Sequence, residues 1–191
     1  MRLIGPADYR HMPWKNGGGV TIEIAASPPG SSLDSFDWRV SMATVVEAGP
    51  FSTFPGIDRT LCVLQGNGIR LDVDGKSTTL TQSSAPFAFA ADAKIAGTPL
   101  NGAITDLNVM TRRGRYRHTV SRKTAVRSLA VQAAGSVSLI FSLKPCRIAS
   151  RTEMIDVPAG AAILIENEAG GPYEVAATGA VELFLVDLFA V

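Results

Sequence analysis

Residues 57–80 run Ile57-Asp58-Arg59-Thr60-Leu61-Cys62-Val63-Leu64, Gln65-Gly66-Asn67-Gly68, Ile69-Arg70-Leu71-Asp72-Val73, Asp74-Gly75-Lys76 and Ser77-Thr78-Thr79-Leu80. Two short runs, Thr60 to Leu64 and Ile69 to Val73, are separated by a Gly-rich turn, and the second is followed at once by Asp-Gly. Asp-Gly between two alternating runs is a strong short-range signal for a tight hairpin. Nothing here sustains a helical stripe, so the stretch reads as consecutive antiparallel strands.

The same pattern extends outward. Phe36 to Ala43 alternates bulky apolar with polar or small residues, and Val20 to Ile24, Ala103 to Met110, Ser136 to Leu143 and Ala180 to Leu188 also read as strands. Pro28-Pro29-Gly30, Ala48-Gly49-Pro50 and Pro55-Gly56 punctuate them. Many short strands with Gly/Pro turns predict an all-β sandwich or barrel.

The chain has 191 residues, 46% hydrophobic, enough to bury a core in one or two small domains. Its formal net charge of +1 points to neither nucleic acid nor an anionic membrane as a partner. The two cysteines, Cys62 and Cys146, make no disulfide framework and suit a reducing compartment. Met1 to Asn16 lacks the apolar core of a signal peptide, and the longest apolar runs fall far short of a bilayer span, so a cytoplasmic location is expected.

A weak internal repeat is visible. Thr79 to Phe89 followed by Gly102 to Met110 is echoed by Met154 to Ile165 followed by Gly179 to Asp187. It predicts two β halves, residues 1–115 and 116–191, with approximate boundaries and N-terminal strands that both halves share. Aligning Gly102 with Gly179 sets Asp106 against Leu183 and Asn108 against Leu185. If the second half packs those leucines inward, Asp106 and Asn108 point into the first barrel.

Pro55 to Gly66 with Ile69 to Gly75 resembles the first conserved stretch of a cupin barrel. More narrowly, Trp14-Lys15-Asn16-Gly17-Gly18-Gly19 with Thr21 and Glu23, Phe36 to Ala43, Gly49 to Arg59 and Asp106 to Met110 resemble the HutD/Ves family. That resemblance implies a bicupin associated with bacterial histidine utilisation, acting by binding a small pathway molecule.

A metallocupin offers a His-x-His pair with a nearby Glu and a later His. Here the only histidines are His11 and His118, far apart in sequence, so no cofactor is expected, although Asp, Glu and Asn remain as potential oxygen ligands. The Trp14 to Gly19 segment is either a flexible entry loop or a Gly-rich turn that aims N–H groups at an anion, with Lys15 and Asn16 adding charge and hydrogen bonds. Thr21 and Glu23 share one strand face, as do Arg39, Ser41 and Ala43. That face is either solvent or a polar barrel interior, and period alone leaves both open.

Asp106, if inward, needs a partner, and Arg39, Arg59 or Lys15 would serve. Asp58 and Arg59 are adjacent and so point to opposite faces of their strand. The candidate ligand-binding set is Trp14, Lys15, Asn16, Thr21, Glu23, Arg39, Ser41, Asp58, Arg59, Asp106 and Asn108. Phe51 and Phe54 either wall the pocket or plug the barrel end. Arg112, Arg113, Arg115, Arg117, Arg122, Lys123 and Arg127 form a basic stretch without an acid, read as a solvated linker or exposed strand before an electrostatic patch.

The expected function is binding of a small anionic metabolite. The family resemblance nominates urocanate or a formylated glutamate. The alternative is a metal-independent isomerase or hydrolase on the same metabolite class, with Glu23 or Asp106 as base. The second half is expected to support the first or to form a homodimer face.

Overall fold

The computed structural model describes residues 1–14, 19–166 and 171–191. The only helix among them is a single 3-10 turn, Pro6–Asp8; the other regular elements are strands. No helix is long and apolar enough to cross a membrane. The chain divides into two units: Arg10–Arg117, and Met1–Tyr9 together with His118–Val191.

The Arg10–Arg117 unit holds two antiparallel sheets. The larger runs in the order Arg10–Pro13, Gly19–Ser27, Trp38–Val45, Ile104–Arg112, Ile57–Gln65, Phe87–Ala90. The smaller runs Gly49–Pro50, Ile95–Pro99, Ile69–Val73, Lys76–Leu80. The predicted hairpin is present: Val73 pairs with Lys76, and Asp74 and Gly75 both take positive φ, 47° and 81°. Two successive left-handed residues form the turn whose twist suits a two-residue hairpin.

Alternation along the strands then sorts the side chains. Ile57, Arg59, Leu61 and Val63 share one face of their strand, and Asp58 lies on the other. Val45, Leu61, Val63, Ile69, Leu71, Leu80, Ile95 and Ile104 form one apolar cluster, bordered by Trp14, Phe51, Phe87 and Phe89. Phe36, Ile57, Ala91 and Met110, with Phe54, form a second.

The other unit is built on one sheet, ordered Arg2–Ile4, Ala162–Glu166, Val137–Ser142, Pro172–Ala190, Cys146–Ala149, Met154–Val157. The strand Tyr116–Gln132 also pairs with Pro172–Ala190. The 19-residue strand Pro172–Ala190 serves two neighbours, Cys146–Ala149 along Glu174 to Ala176 and Val137–Ser142 along Leu183 to Leu188. Its core gathers Ile140, Ile148, Ile163, Tyr173, Val175, Val181, Leu183 and Leu185. Asp187 is buried, and its Oδ1 accepts from the Ala134 and Gly135 N–H groups at 3.0 and 3.2 Å and from the Ser138 hydroxyl, which pins the turn before Val137.

The basic stretch leads into a 17-residue strand, Tyr116–Gln132, more than half of it exposed, where a linker or exposed strand is expected. Its first arginines are engaged. Arg112 donates to the Phe36 and Asp34 carbonyls, Arg113 is held by Asp92 and Asp58, and Arg115 lies 3.6 Å from Asp37.

Candidate functional site

Four neighbouring strands of the Arg10–Arg117 unit present polar residues to one cavity of about 510 Å³. The register fixes the rows. Met110 sits opposite both Arg39 and Arg59, Asn108 opposite Ser41 and Leu61, and Asp106 opposite Ala43 and Val63. Glu23 pairs with Ser41 from the far side. A polar floor therefore lies between the two apolar clusters, and the face left open by period alone is the inward one.

The floor is nearly dry: Asp106 is 0% exposed, Asn108 3%, Arg39 5% and Arg59 8%. Charges at that depth need partners. Arg39 Nε donates to Glu23 Oε2 at 2.7 Å. Arg59 donates through Nε to Asn108 Oδ1 at 2.8 Å, and its Nη2 also reaches that oxygen. Asn108 Nδ2 in turn donates to Asp106 Oδ1 at 2.6 Å. Asn108 thus couples a cation to an anion that it separates.

The Arg59 guanidinium also lies 4.9 Å from the Phe51 ring centre and 5.6 Å from that of Phe89, so aromatic faces complete its shell. Phe51 is seated by Gly97, where a Cβ would come within 2.5 Å of its ring.

On the polar floor, two buried side-chain atoms have no hydrogen-bond partner among the described residues: Arg39 Nη2 and Asp106 Oδ2. Both belong to residues lining the cavity. Burial shapes the electrostatics of Asp106 and Arg59. Desolvation raises Asp106 to about 6, against the opposing pull of Arg59, the Asn108 hydrogen bond and the Ala43 backbone. Desolvation lowers Arg59 to about 10, with Asp106 opposing the fall and the nearby Arg39 adding to it.

The walls are apolar. Trp14, Leu33, Phe51, Phe54, Pro13 and Pro50 line them, so the two phenylalanines wall the cavity. Trp14 is held by an Nε1–H donated to Thr21 Oγ1 at 2.7 Å and packs on Gly19, where a Cβ would meet its ring at 3.0 Å.

Of the candidate residues, Trp14, Thr21, Arg39, Ser41, Arg59, Asp106 and Asn108 line the cavity, and Glu23 backs it through Arg39. Lys15 and Asn16 lie outside the described residues. Asp58 is a correction. It sits on the outward face of its strand and accepts from Arg113 Nε at 2.7 Å, because the alternation that turns Arg59 inward turns Asp58 away.

Sequence reasoning missed Met110, Met12 and Leu33 as lining residues. Met110 shares the face of Asp106 and Asn108, so period two contained that signal. Leu33 lies in a loop between strands, where no period applies. Among the described residues no group of three His, Cys, Asp or Glu gathers closely enough to hold a metal ion.

The site lies within a chain similar to several known proteins. An uncharacterised 21.2 kDa protein from the hutC 3′ region of Pseudomonas putida is 44% identical over 117 residues, 61% of each chain. The matched segment thus spans about three fifths of that relative's length. A conserved protein of unknown function from Pseudomonas aeruginosa PAO1 has the same fold, with a TM-score of 0.92, 33% identity and 98% of both chains covered. HutD from Pseudomonas fluorescens SBW25, solved in a formate condition, superposes with a TM-score of 0.83 at 28% identity, covering 100% of this chain and 98% of that one. At the level of fold alone, a cupin 2 conserved barrel domain protein from Leptotrichia buccalis matches with a TM-score of 0.58 at 11% identity, covering 88% of each chain. The architecture is therefore all-β, as the strand pattern implied, and of the cupin type that the resemblance implied. The HutD family model matches residues 6–184, almost the whole length over which the strands and the polar floor have been traced, and the chain belongs to the HutD family.

Proposed function

We propose that the cavity of the Arg10–Arg117 unit binds a small carboxylate metabolite, with urocanate and a formylated glutamate as the two nominated ligands, and that this binding modulates histidine utilisation. One observation carries the reading: a buried arginine that lines the cavity, Arg39, keeps its Nη2 without a partner while Glu23 holds its Nε. A pre-oriented guanidinium edge in a desolvated cavity suits a carboxylate. Arg59 adds a second positive charge on the same floor. The aromatic walls suit a flat, mostly apolar body. The Pseudomonas putida relative's place beside hutC supports the metabolic setting.

The test is titration calorimetry of the folded protein with urocanate and with N-formylglutamate, beside Arg39→Met. Saturable heat with one of them, lost in the variant, is the expected result. The absence of heat and of any thermal shift with both acids overturns the assignment.

A second reading has its own observation. Asp106 combines a free carboxylate oxygen with a pKa raised to about 6, the profile of a group that moves protons near neutral pH. Product formation from either acid, abolished by Asp106→Asn, would make the cavity an active site.

A further inference from the structure

The charges of the cavity floor cancel. Arg39, Arg59 and Asp106 line the cavity, and Glu23 pairs with Arg39 from behind, so two positive groups stand against two negative ones. The two acids are held differently. Glu23 touches its arginine, with Oε2 2.7 Å from Arg39 Nε. Asp106 touches none. Asn108 stands between it and Arg59, accepting from the guanidinium on Oδ1 and donating Nδ2 to Asp106 Oδ1 at 2.6 Å. Asp106 is fully enclosed, and its Oδ2 accepts no hydrogen bond among the described residues. A buried carboxylate set apart from its cation is the acid on this floor that gives up its charge most readily.

The neighbouring strands bring no other titrating partner to it. On Trp38–Val45 the only charged residue is Arg39, and on Gly19–Ser27 behind it the only one is Glu23. On Ile57–Gln65, Arg59 faces in, while Asp58 and Cys62 lie on the opposite face. On the outer strand Arg10–Pro13, Arg10 and His11 are exposed. On the strand of Asp106 itself, Arg112 is turned to the Phe36 and Asp34 carbonyls.

A ligand carboxylate adds an uncompensated negative charge to this balanced floor. A compact cavity of about 510 Å³ is about 10 Å across, so an anion held at Arg39 stays within roughly that distance of Asp106. At separations of about 6–10 Å and an effective dielectric of about 20, a like charge weighs roughly ten- to hundredfold against ionisation. The effect acts through space, so an enclosed carboxyl feels it without touching the ligand. Protonation at Oδ2 leaves the Asn108 bond to Oδ1 intact and frees the charge of Arg59 to balance the ligand. Desolvation already brings Asp106 to about 6, so a modest push carries it through neutrality.

We propose that the cavity binds its carboxylate together with a proton, and that Asp106 takes that proton up. This rests on the carboxylate-binding reading and adds a regulation to it: the site fills more readily as its surroundings acidify.

N-formylglutamate and 3-(furan-2-yl)acrylate carry no group that titrates between pH 6 and pH 8, so any proton uptake on binding them belongs to the protein. Calorimetry is expected to show their affinity falling roughly tenfold from pH 6 to pH 8. At pH 7, titrations in phosphate and in Tris, which differ in ionisation heat, are expected to show roughly half to one proton taken up per ligand. Asp106→Asn, with folding verified by thermal unfolding, is expected to bind equally across that range and to take up no proton. With urocanate, whose imidazole titrates in the same range, the reading is the difference in proton uptake between wild type and Asp106→Asn. Affinity level from pH 6 to pH 8 without proton uptake overturns the inference and leaves the carboxylate site standing; the wild type alone decides this if the variant does not fold. Proton uptake that survives in Asp106→Asn belongs to another group and also overturns it. Binding of none of the three acids overturns both readings.

Discussion

At the scale of single residues, the polar floor imposes a cost that can be measured. Asp106 has a folded pKa of about 6, above its ordinary value of 3.8. A carboxyl whose pKa rises on folding stabilises the protein relative to its ionised form at low pH, and that contribution is lost as pH climbs through the folded value. Asp106→Asn is therefore expected to raise Tm at pH 8, by up to about 3 kcal/mol of stability, and to change little at pH 4. Thermal unfolding at both pH values checks it, and a variant less stable at pH 8 contradicts the direction. Asn108 is the opposite case. Asn108→Leu fits the space but strips partners from both Arg59 and Asp106, and a loss of roughly 3–5 kcal/mol in denaturant unfolding is expected. The inward direction of Asp106 and Asn108 was legible, because the repeat set them against two leucines of a packed half. The choice between Asp58 and Arg59 was not. Adjacency placed them on opposite faces, and only the partner Arg113, more than fifty residues away in sequence, settles which one faces out.

At the scale of elements, one close approach governs the mouth of the cavity. Gly19 opens the strand Gly19–Ser27 and lies so near its neighbour that a Cβ would come within 2.2 Å of the Thr44 carbonyl oxygen. Backbone cannot yield as a flexible side-chain tip can. Gly19→Ala is expected to part this strand from Trp38–Val45 at its start and to loosen Trp14, with about 2–4 kcal/mol of lost stability and a red-shifted, more quenchable tryptophan emission. An unchanged emission spectrum would show that Trp14 does not depend on that contact. The strands themselves were largely readable. Ile69 to Val73 appears with the bounds alternation assigned, and the Asp74-Gly75 hairpin closes as its dipeptide implies. The short strand Arg10–Pro13 was not readable: only its pairing with Gly19–Ser27 makes Arg-His-Met-Pro extended. Propensity is weak for so short an element, and tertiary context decides it.

At the scale of the whole molecule, one pattern meets two fates. Leu183 is fully buried in the apolar core of its unit, at the place aligned with Asp106 in the other. Leu183→Asp would bury a carboxylate with neither an Asn108-like relay nor an arginine behind it. It is expected to cost more than about 4 kcal/mol or to abolish folding, whereas Asp106→Leu is expected to fold. Expression yield and unfolding of the pair check this contrast. The allegiance of the first residues has no local signature, because long-range pairing leaves no local trace. Arg2–Ile4 forms the edge of the sheet by pairing with Leu164, Ile163 and Ala162. This has a consequence for biosynthesis. On a ribosome adding about 5–20 residues per second, the first strand emerges roughly 8–30 seconds before its partner is made. Through that interval it must stay unpaired and uncommitted to any other edge.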